Sequence, residues 1–260
     1  MKKAILILVL MLCLVIIIGT ACSTVNDRDV IYQAAPFIAL QEGDFDGDYK
    51  CGDLKQYGDY GLGTVDNLDG EMVMVEGNIY HIKIDGIAYP VDDLVETPWA
   101  TVTFFEPDKT VQIDSADSYS HFQHLLDASL PTENTFYAVR IEGTFDYIKA
   151  RTVPAQSEPY PTLVEAVEDQ AVFKFNNTPG TLFGFRCPPY IGPVNVPGYH
   201  FHFITADRKA GGHLLDCRMH DMTVEIDETN SFQLIVPTNQ EFMDMNLSEQ
   251  DSEEVEKIEK

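Results

Sequence analysis

The run Gly198-Tyr199-His200-Phe201-His202-Phe203-Ile204 leaves the chain little choice but an extended strand, because aromatic residues dominate it and no polar break interrupts it. Residues two apart on a strand project from one face, so His200 and His202 present their imidazoles side by side. Asp207 and the pair Gly211-Gly212 follow, and then His213. Glycine tolerates positive φ, so the pair is expected to reverse the chain and return His213 on the neighbouring strand. Three imidazoles converging from a hairpin make a metal site of the catalytic kind, with a position left for water or substrate. An isolated His-x-His would read instead as the polar face of a strand. The third histidine and the intervening turn favour the metal.

Most of the remaining chain also reads as strands. Residues 71–76, 79–84 and 87–91 alternate in polarity around Gly77-Asn78 and Asp85-Gly86, which are hairpin signals and predict a β-meander. Further strands are expected at 101–105, 136–145, 171–175, 181–187, 199–205, 213–218, 220–226 and 231–236. Phe122, Leu125 and Leu126 fall at helical spacing within 118–130, and Pro131 stops that helix. A short helix is expected over 162–169, and an acidic helix and tail from Thr238 onward. The fold class is α+β and β-rich, with a larger mixed sheet over 32–169. Packed with it is a smaller antiparallel sheet over 170–260 that carries the histidines and whose C-terminal tail returns to the site.

Residues 1–21 read as an export signal: the basic Met1-Lys2-Lys3, an apolar run from Ala4 to Ile18, then Gly19-Thr20-Ala21. Cys22 stands where a lipoprotein is cleaved and acylated, although Gly19 replaces the usual leucine. Cleavage near Ala21 or an uncleaved anchor are the other readings, and all three place the body outside the cytoplasmic membrane. Residues 22–31 form a linker. The formal net charge is 17 − 42 = −25, which repels nucleic acid and anionic membrane surfaces. Nucleic-acid binding is excluded, and membrane attachment is confined to the N-terminal signal or a lipid anchor. Beyond Cys13 and Cys22, the widely spaced Cys51, Cys187 and Cys217 imply no disulfide framework.

Several rival sites fall away. The acidic loop Asp44-Phe45-Asp46-Gly47-Asp48 fails the calcium-loop pattern, because Tyr49 and Lys55 occupy positions six and twelve. His121 and His124 lack a third partner, and Cys217 reads as a small buried residue. Glu71 opens a strand directly after Asp69-Gly70, a position suited to a carboxylate aimed into a cleft. Arg151 lies in an extended segment with few other cations and can grip a carboxylate through paired N–H groups.

Taken in order, these blocks resemble the alpha-acetolactate decarboxylase family: Leu62-Gly63-Thr64 through Leu68-Asp69-Gly70-Glu71-Met72; Gly143-Thr144-Phe145; Arg151-Thr152-Val153-Pro154; Tyr160-Pro161-Thr162-Leu163; and Pro197 through Ile204, continuing to Asp207-Arg208 and Gly211 through Asp216. The resemblance covers the body from about Tyr32 to the C-terminus. It implies zinc held by His200, His202 and His213, with Glu71, Arg151 and a C-terminal glutamate lining the pocket. That glutamate is expected to be Glu259, with Glu254 and Glu256 as competitors. The implied reaction is decarboxylation of 2-acetolactate to acetoin through a metal-stabilised enediolate, with either glutamate as acid or base. A homodimer enters only as what the resemblance implies. The contrasting readings are a non-catalytic metal- or ligand-binding lipoprotein and a cupin-type oxygenase. A cupin needs a carboxylate four or five residues after the second histidine, a window that ends here at Asp207.

Overall fold

The computed structural model describes residues 28–248 and 252–259; the expected export segment, Cys13, Cys22 and most of the linker lie outside them. The strands are β1 (Ile31–Ala34), β2 (Tyr49–Lys50), β3 (Tyr60–Thr64), β4 (Glu71–Val75), β5 (Asn78–Ile82), β6 (Ala88–Pro90) and β7 (Glu96–Thr97). They continue with β8 (Ala100–Thr103), β9 (Lys109–Ala116), β10 (Phe136–Thr152), β11 (Ala171–Cys187), β12 (Gly198–Thr205), β13 (Gly211–Thr229) and β14 (Phe232–Ile235). The helices are α1 (Phe37–Gln41), α2 (Cys51–Leu54), α3 (Tyr119–Asp127), α4 (Leu163–Ala166), α5 (Gln240–Asp244) and α6 (Ser252–Glu259).

Two sheets dominate, as an α+β, β-rich reading requires. The larger runs β14-β1-β8-β3-β4-β5-β6 and is mixed, because β1 pairs parallel with β14 and antiparallel with β8. The smaller is antiparallel, β10-β11-β12-β13-β9, and it closes on itself because β10 also pairs with β13. The meander forms β4, β5 and β6. Its first turn sits at Glu76-Gly77, with φ 51° and 74°, one residue earlier than the glycine-asparagine signal suggests. Thr162 and Glu165 form a capping box that starts α4, and the Ser118 side chain caps α3 by accepting from the His121 N–H.

Two expectations are corrected. Residues 171–187 form one strand, as do 211–229, because Asn177 and Asp221 absorb the apparent breaks by taking positive φ (47° and 51°) while pairing with β10 continues on both sides. The expected boundary at 169/170 separates β10 from β11, which pair continuously from Tyr137↔Arg186 to Thr152↔Ala171. It also leaves β14 on the wrong side, since β14 edges the larger sheet. The sheets therefore do not divide where the chain was expected to.

Strand alternation sorts side chains into separate cores. On β12, Phe201 and Phe203 pack with Phe122 and Leu126 of α3, while Ile204 joins the layer between the sheets with Val73, Val75 and Phe183. Met72 and Met74 on the opposite face of β4 pack with Leu54 of α2. Val255 and Ile258 of α6 are buried in the inter-sheet layer, and the helix packs on α4.

One carboxyl, that of Asp227, lies buried in this framework. Burial pushes Asp227 up to about 7, opposed by the hydrogen bond from the Glu106 N–H and reinforced by Asp108, Asp29 and the Glu106 carboxylate. The folded chain holds that proton up to about pH 7, whereas an unfolded aspartate releases it near 3.9. The folded state thus binds more protons within this window, and stability contributed by the protonated group is lost as pH rises through it. We expect Asp227→Asn to remove that slope. Urea denaturation at several pH values should show the variant gaining on the wild type between about pH 4 and 7.

Candidate metal centre

The histidines meet between the two sheets because of strand periodicity. His200 and His202 alternate with Tyr199, Phe201 and Phe203, so both imidazoles face away from the α3 core. His213 lies directly across from His202 in the β12–β13 register, and across from Arg151 in the β10–β13 register. In an uninterrupted strand His213 would share a face with Cys217, four residues on. A β-bulge, where Lys149↔Asp216 gives way to Ala150↔Leu214, turns Leu214 and Cys217 into the α3 core and His213 to the other side. Bulges re-aim side chains in this way. The same device disposes of Cys217 as a ligand.

The chain reversal itself is made at 206–210, with Arg208 at φ 58° and hydrogen bonds from the Thr205 N–H to Ala210 O and from the Arg208 N–H to Thr205 O. Gly211-Gly212 therefore serves a different purpose from the one expected. A Cβ on Gly211 would run into the Phe203 carbonyl, and one on Gly212 into the Arg151 carbonyl. The pair allows close approach of three strands at the site.

Nε2 of His200 lies 3.3 Å from Nε2 of His202 and 3.1 Å from Nδ1 of His213. One nitrogen from each ring falls within 4.8 Å of the other two. His202 Nδ1 donates to the Met72 carbonyl at 2.8 Å, which fixes its tautomer and leaves Nε2 as a lone-pair donor. Trp99 stacks on His200 at 5.7 Å between ring centroids and 12° between planes. Burial holds all three imidazoles neutral, reinforced by Arg151 and, for His200 and His213, by neighbouring imidazoles; His202 falls to about 3, His200 and His213 well below the ordinary value. His200 Nδ1 and His213 Nε2 are buried without hydrogen-bond partners. Neutral, converging, under-satisfied imidazoles fit a divalent metal that accepts nitrogen donors, such as zinc.

Charged groups from three segments complete the pocket. Arg151 Nη1 donates to Glu71 Oε1 at 2.6 Å, and Nη2 to the Ile258 carbonyl at 3.2 Å. Its Nε is buried with no partner. Glu71 Oε2 lies 3.4 Å from His202 Nε2, and Glu259 Oε2 lies 3.7 Å from His213 Nε2. Burial raises Glu71 to about 7 against the pull of Arg151. It raises Glu259 to about 8, with Glu71 adding to the shift and Arg151 opposing it. A dication among these groups would draw both down. Phe37, Leu40, Val153 and Ile258 wall the pocket, which holds a free volume of about 30 Å³. A separate cavity of about 760 Å³, lined by Tyr119, Gln123, Arg186 and Leu215 among others, meets it at Glu259.

All six residues singled out from the sequence thus lie together, while the side chains of Glu254 and Glu256 lie outside the description. His121 accepts from the Asp117 N–H on α3, and His124 is exposed. Asp207 accepts from Thr205 Oγ1 in the exposed turn, away from the imidazoles, so the cupin carboxylate is missing. Sequence reasoning missed Trp99 and the backbone carbonyls of Met72 and Ile258. Only Trp99, the single tryptophan, carried any signal.

A family model described as alpha-acetolactate decarboxylase matches residues 31–249. The chain is 48% identical to an alpha-acetolactate decarboxylase of Methanosarcina mazei, over 90% of this chain and 82% of that protein. It is 39% identical to one from Bacillus subtilis, over 85% and 87%. A crystal structure of the Bacillus subtilis enzyme superposes with a TM-score of 0.86 at 38% identity, covering 88% of this chain and 99% of that one.

The geometry predicts that His202→Ala loses metal outright, because it removes both one of the three lone pairs and the anchor to Met72. Elemental analysis should fall from about one metal per chain to none, with the strand signal in circular dichroism retained.

Proposed function

This chain belongs to the alpha-acetolactate decarboxylase family and is an acetolactate decarboxylase, a carboxy-lyase; we propose that it is zinc-dependent and converts 2-acetolactate to acetoin and carbon dioxide, within acetoin and butanediol metabolism. The observation that supports this best is the buried meeting of three neutral imidazoles with an arginine whose Nε has no partner.

Zinc, when bound by His200, His202 and His213, supplies a Lewis acid that polarises a carbonyl oxygen. The chain's own residues account for the rest. Arg151 spends one Nη on Glu71 and the other on the Ile258 carbonyl, and its Nε–H is left to grip the substrate carboxylate. Glu71 acts mainly as the counter-charge that aims the guanidinium. When the carbon–carbon bond breaks, its electron pair stays on the keto fragment as an enediolate, and Arg151 favours that charge. A proton must then reach carbon. Glu259, the carboxyl with the higher affinity for a proton, holds it at the mouth of the pocket. The apolar walls keep water from competing.

The reading is tested by giving purified protein racemic 2-acetolactate and following acetoin by colour. Chelation should abolish turnover and zinc restore it; turnover indifferent to chelator would remove zinc from the mechanism. Arg151→Lys should retain zinc but lose roughly 10- to 100-fold in kcat/KM, the equivalent of one charged hydrogen bond of about 1.5–3 kcal/mol. Unchanged kinetics would release Arg151 from its role.

The leader sequence supports export, either as a secreted protein or anchored through a lipid on Cys22, and the family resemblance supports a homodimer. Mass spectrometry of the membrane fraction should find the mature chain beginning at acylated Cys22, with a native mass twice that of one chain. An intact Met1 on cytosolic protein would overturn export.

A further inference from the structure

A second group of oxygen ligands lies apart from the histidines. Asp46, Glu158 and Glu241 each bring one carboxylate oxygen to within 4.8 Å of the other two. They come from three segments: the loop between α1 and β2, the loop between β10 and α4, and the first turn of α5. Exposed acidic groups gather on many acidic surfaces without a ligand, so the grouping alone carries nothing. Asp44 changes the argument. It lines the same cavity as Glu158 and Glu241, is only 8% exposed, and its Oδ1 has no hydrogen-bond partner. A buried carboxylate oxygen without a donor has lost its water and gained nothing in return.

The surroundings deepen that deficit. Among the described residues lining the cavity there is no lysine or arginine. Burial, then Asp48, Glu241 and Asp46, push the Asp44 carboxyl up to about 6, and Glu241 is raised first by Asp46. The loop is nonetheless held in place. The Tyr160 hydroxyl contacts Asp46 Oδ1 at 2.5 Å and Asn67 Oδ1 at 2.7 Å. Asn239 Nδ2 donates to Asp48 Oδ2 at 2.9 Å while the Asn239 side chain caps α5. Repelling carboxylates positioned by neutral hydrogen-bonding neighbours are what a cation site requires.

We propose that Asp46, Glu158 and Glu241, backed by the buried and unpartnered Asp44 carboxylate in the same cavity, bind a hard divalent cation of the calcium class. The donors are all oxygen, with no histidine or cysteine, which disfavours zinc and its relatives. Two of the three, Glu158 and Glu241, stand on exposed segments, a tolerance that calcium accepts and magnesium, with its strict octahedron, does not. The acidic loop fails the linear calcium pattern because its further ligands arrive through space rather than along the sequence. The bound cation tethers α5 to the body.

Terbium is the probe, added to the zinc-loaded full-length protein and excited through its aromatic residues; Tyr160 touches Asp46 and is placed to sensitise emission. Expected are saturable emission, displacement by calcium well before magnesium, and a rise in melting temperature with calcium. The double variant Glu158→Gln/Glu241→Gln should bind terbium at least roughly tenfold more weakly and lose the calcium-dependent rise, since affinity in such sites follows ligand charge. Absent saturable emission, equal displacement by magnesium, or an unchanged double variant would each overturn the proposal. Zinc content and acetoin formation measured on the same samples should be unaltered in the double variant, which keeps this test separate from that of the histidine site.

Discussion

The Arg151–Glu71 pair is the contact on which the rest of the architecture turns. Glu71 opens β4 of the larger sheet, and Arg151 lies near the end of β10 in the smaller one. A third segment joins them when Nη2 takes the Ile258 carbonyl of α6. A buried charge is costly unless paired, and removing one partner of such a pair typically costs about 3–5 kcal/mol. The two sheets and the terminal helix therefore have one mutually satisfying arrangement at this point. His213 sits opposite Arg151 in the strand register, so the same arrangement also places the third imidazole.

The carboxyl groups show how one pocket separates two tasks. Glu71 and Glu259 are both buried and both raised, yet Glu71 is saturated by a guanidinium at 2.6 Å whereas Glu259 has no cationic partner at that range. Environment, not residue type, sets the two carboxyls apart. Arg151 keeps a buried Nε–H without a partner while its other two nitrogens have acceptors inside the protein.

Much of this was legible in the chain. Alternation in Tyr199 to Ile204 settles which face the histidines share, and the meander around Gly77 and Gly86 follows from turn chemistry alone. What was not legible depends on pairings between distant strands. The bulge opposite Lys149 turns His213 away from Cys217, and nothing in Gly211 through Cys217 announces it. Gly211-Gly212 read naturally as a turn, but its smallness answers to the Phe203 and Arg151 carbonyls on neighbouring strands. The expected gaps at 176–180 and 219 are bridged by long ladders on β10, which carry the strands on through Asn177 and Asp221 at positive φ. The boundary near 169 was drawn from local composition, and composition is silent about a strand that pairs on both edges.

Trp99 is the only tryptophan in the sequence, and its indole lies parallel to the His200 ring. The red-edge fluorescence of the protein is consequently a signal from one place rather than an average over the molecule. Any change in what the neighbouring imidazole carries alters the electronic surroundings of a single emitter. The fold has, in effect, wired an optical gauge into the wall of its own pocket, readable without a label or a substitution.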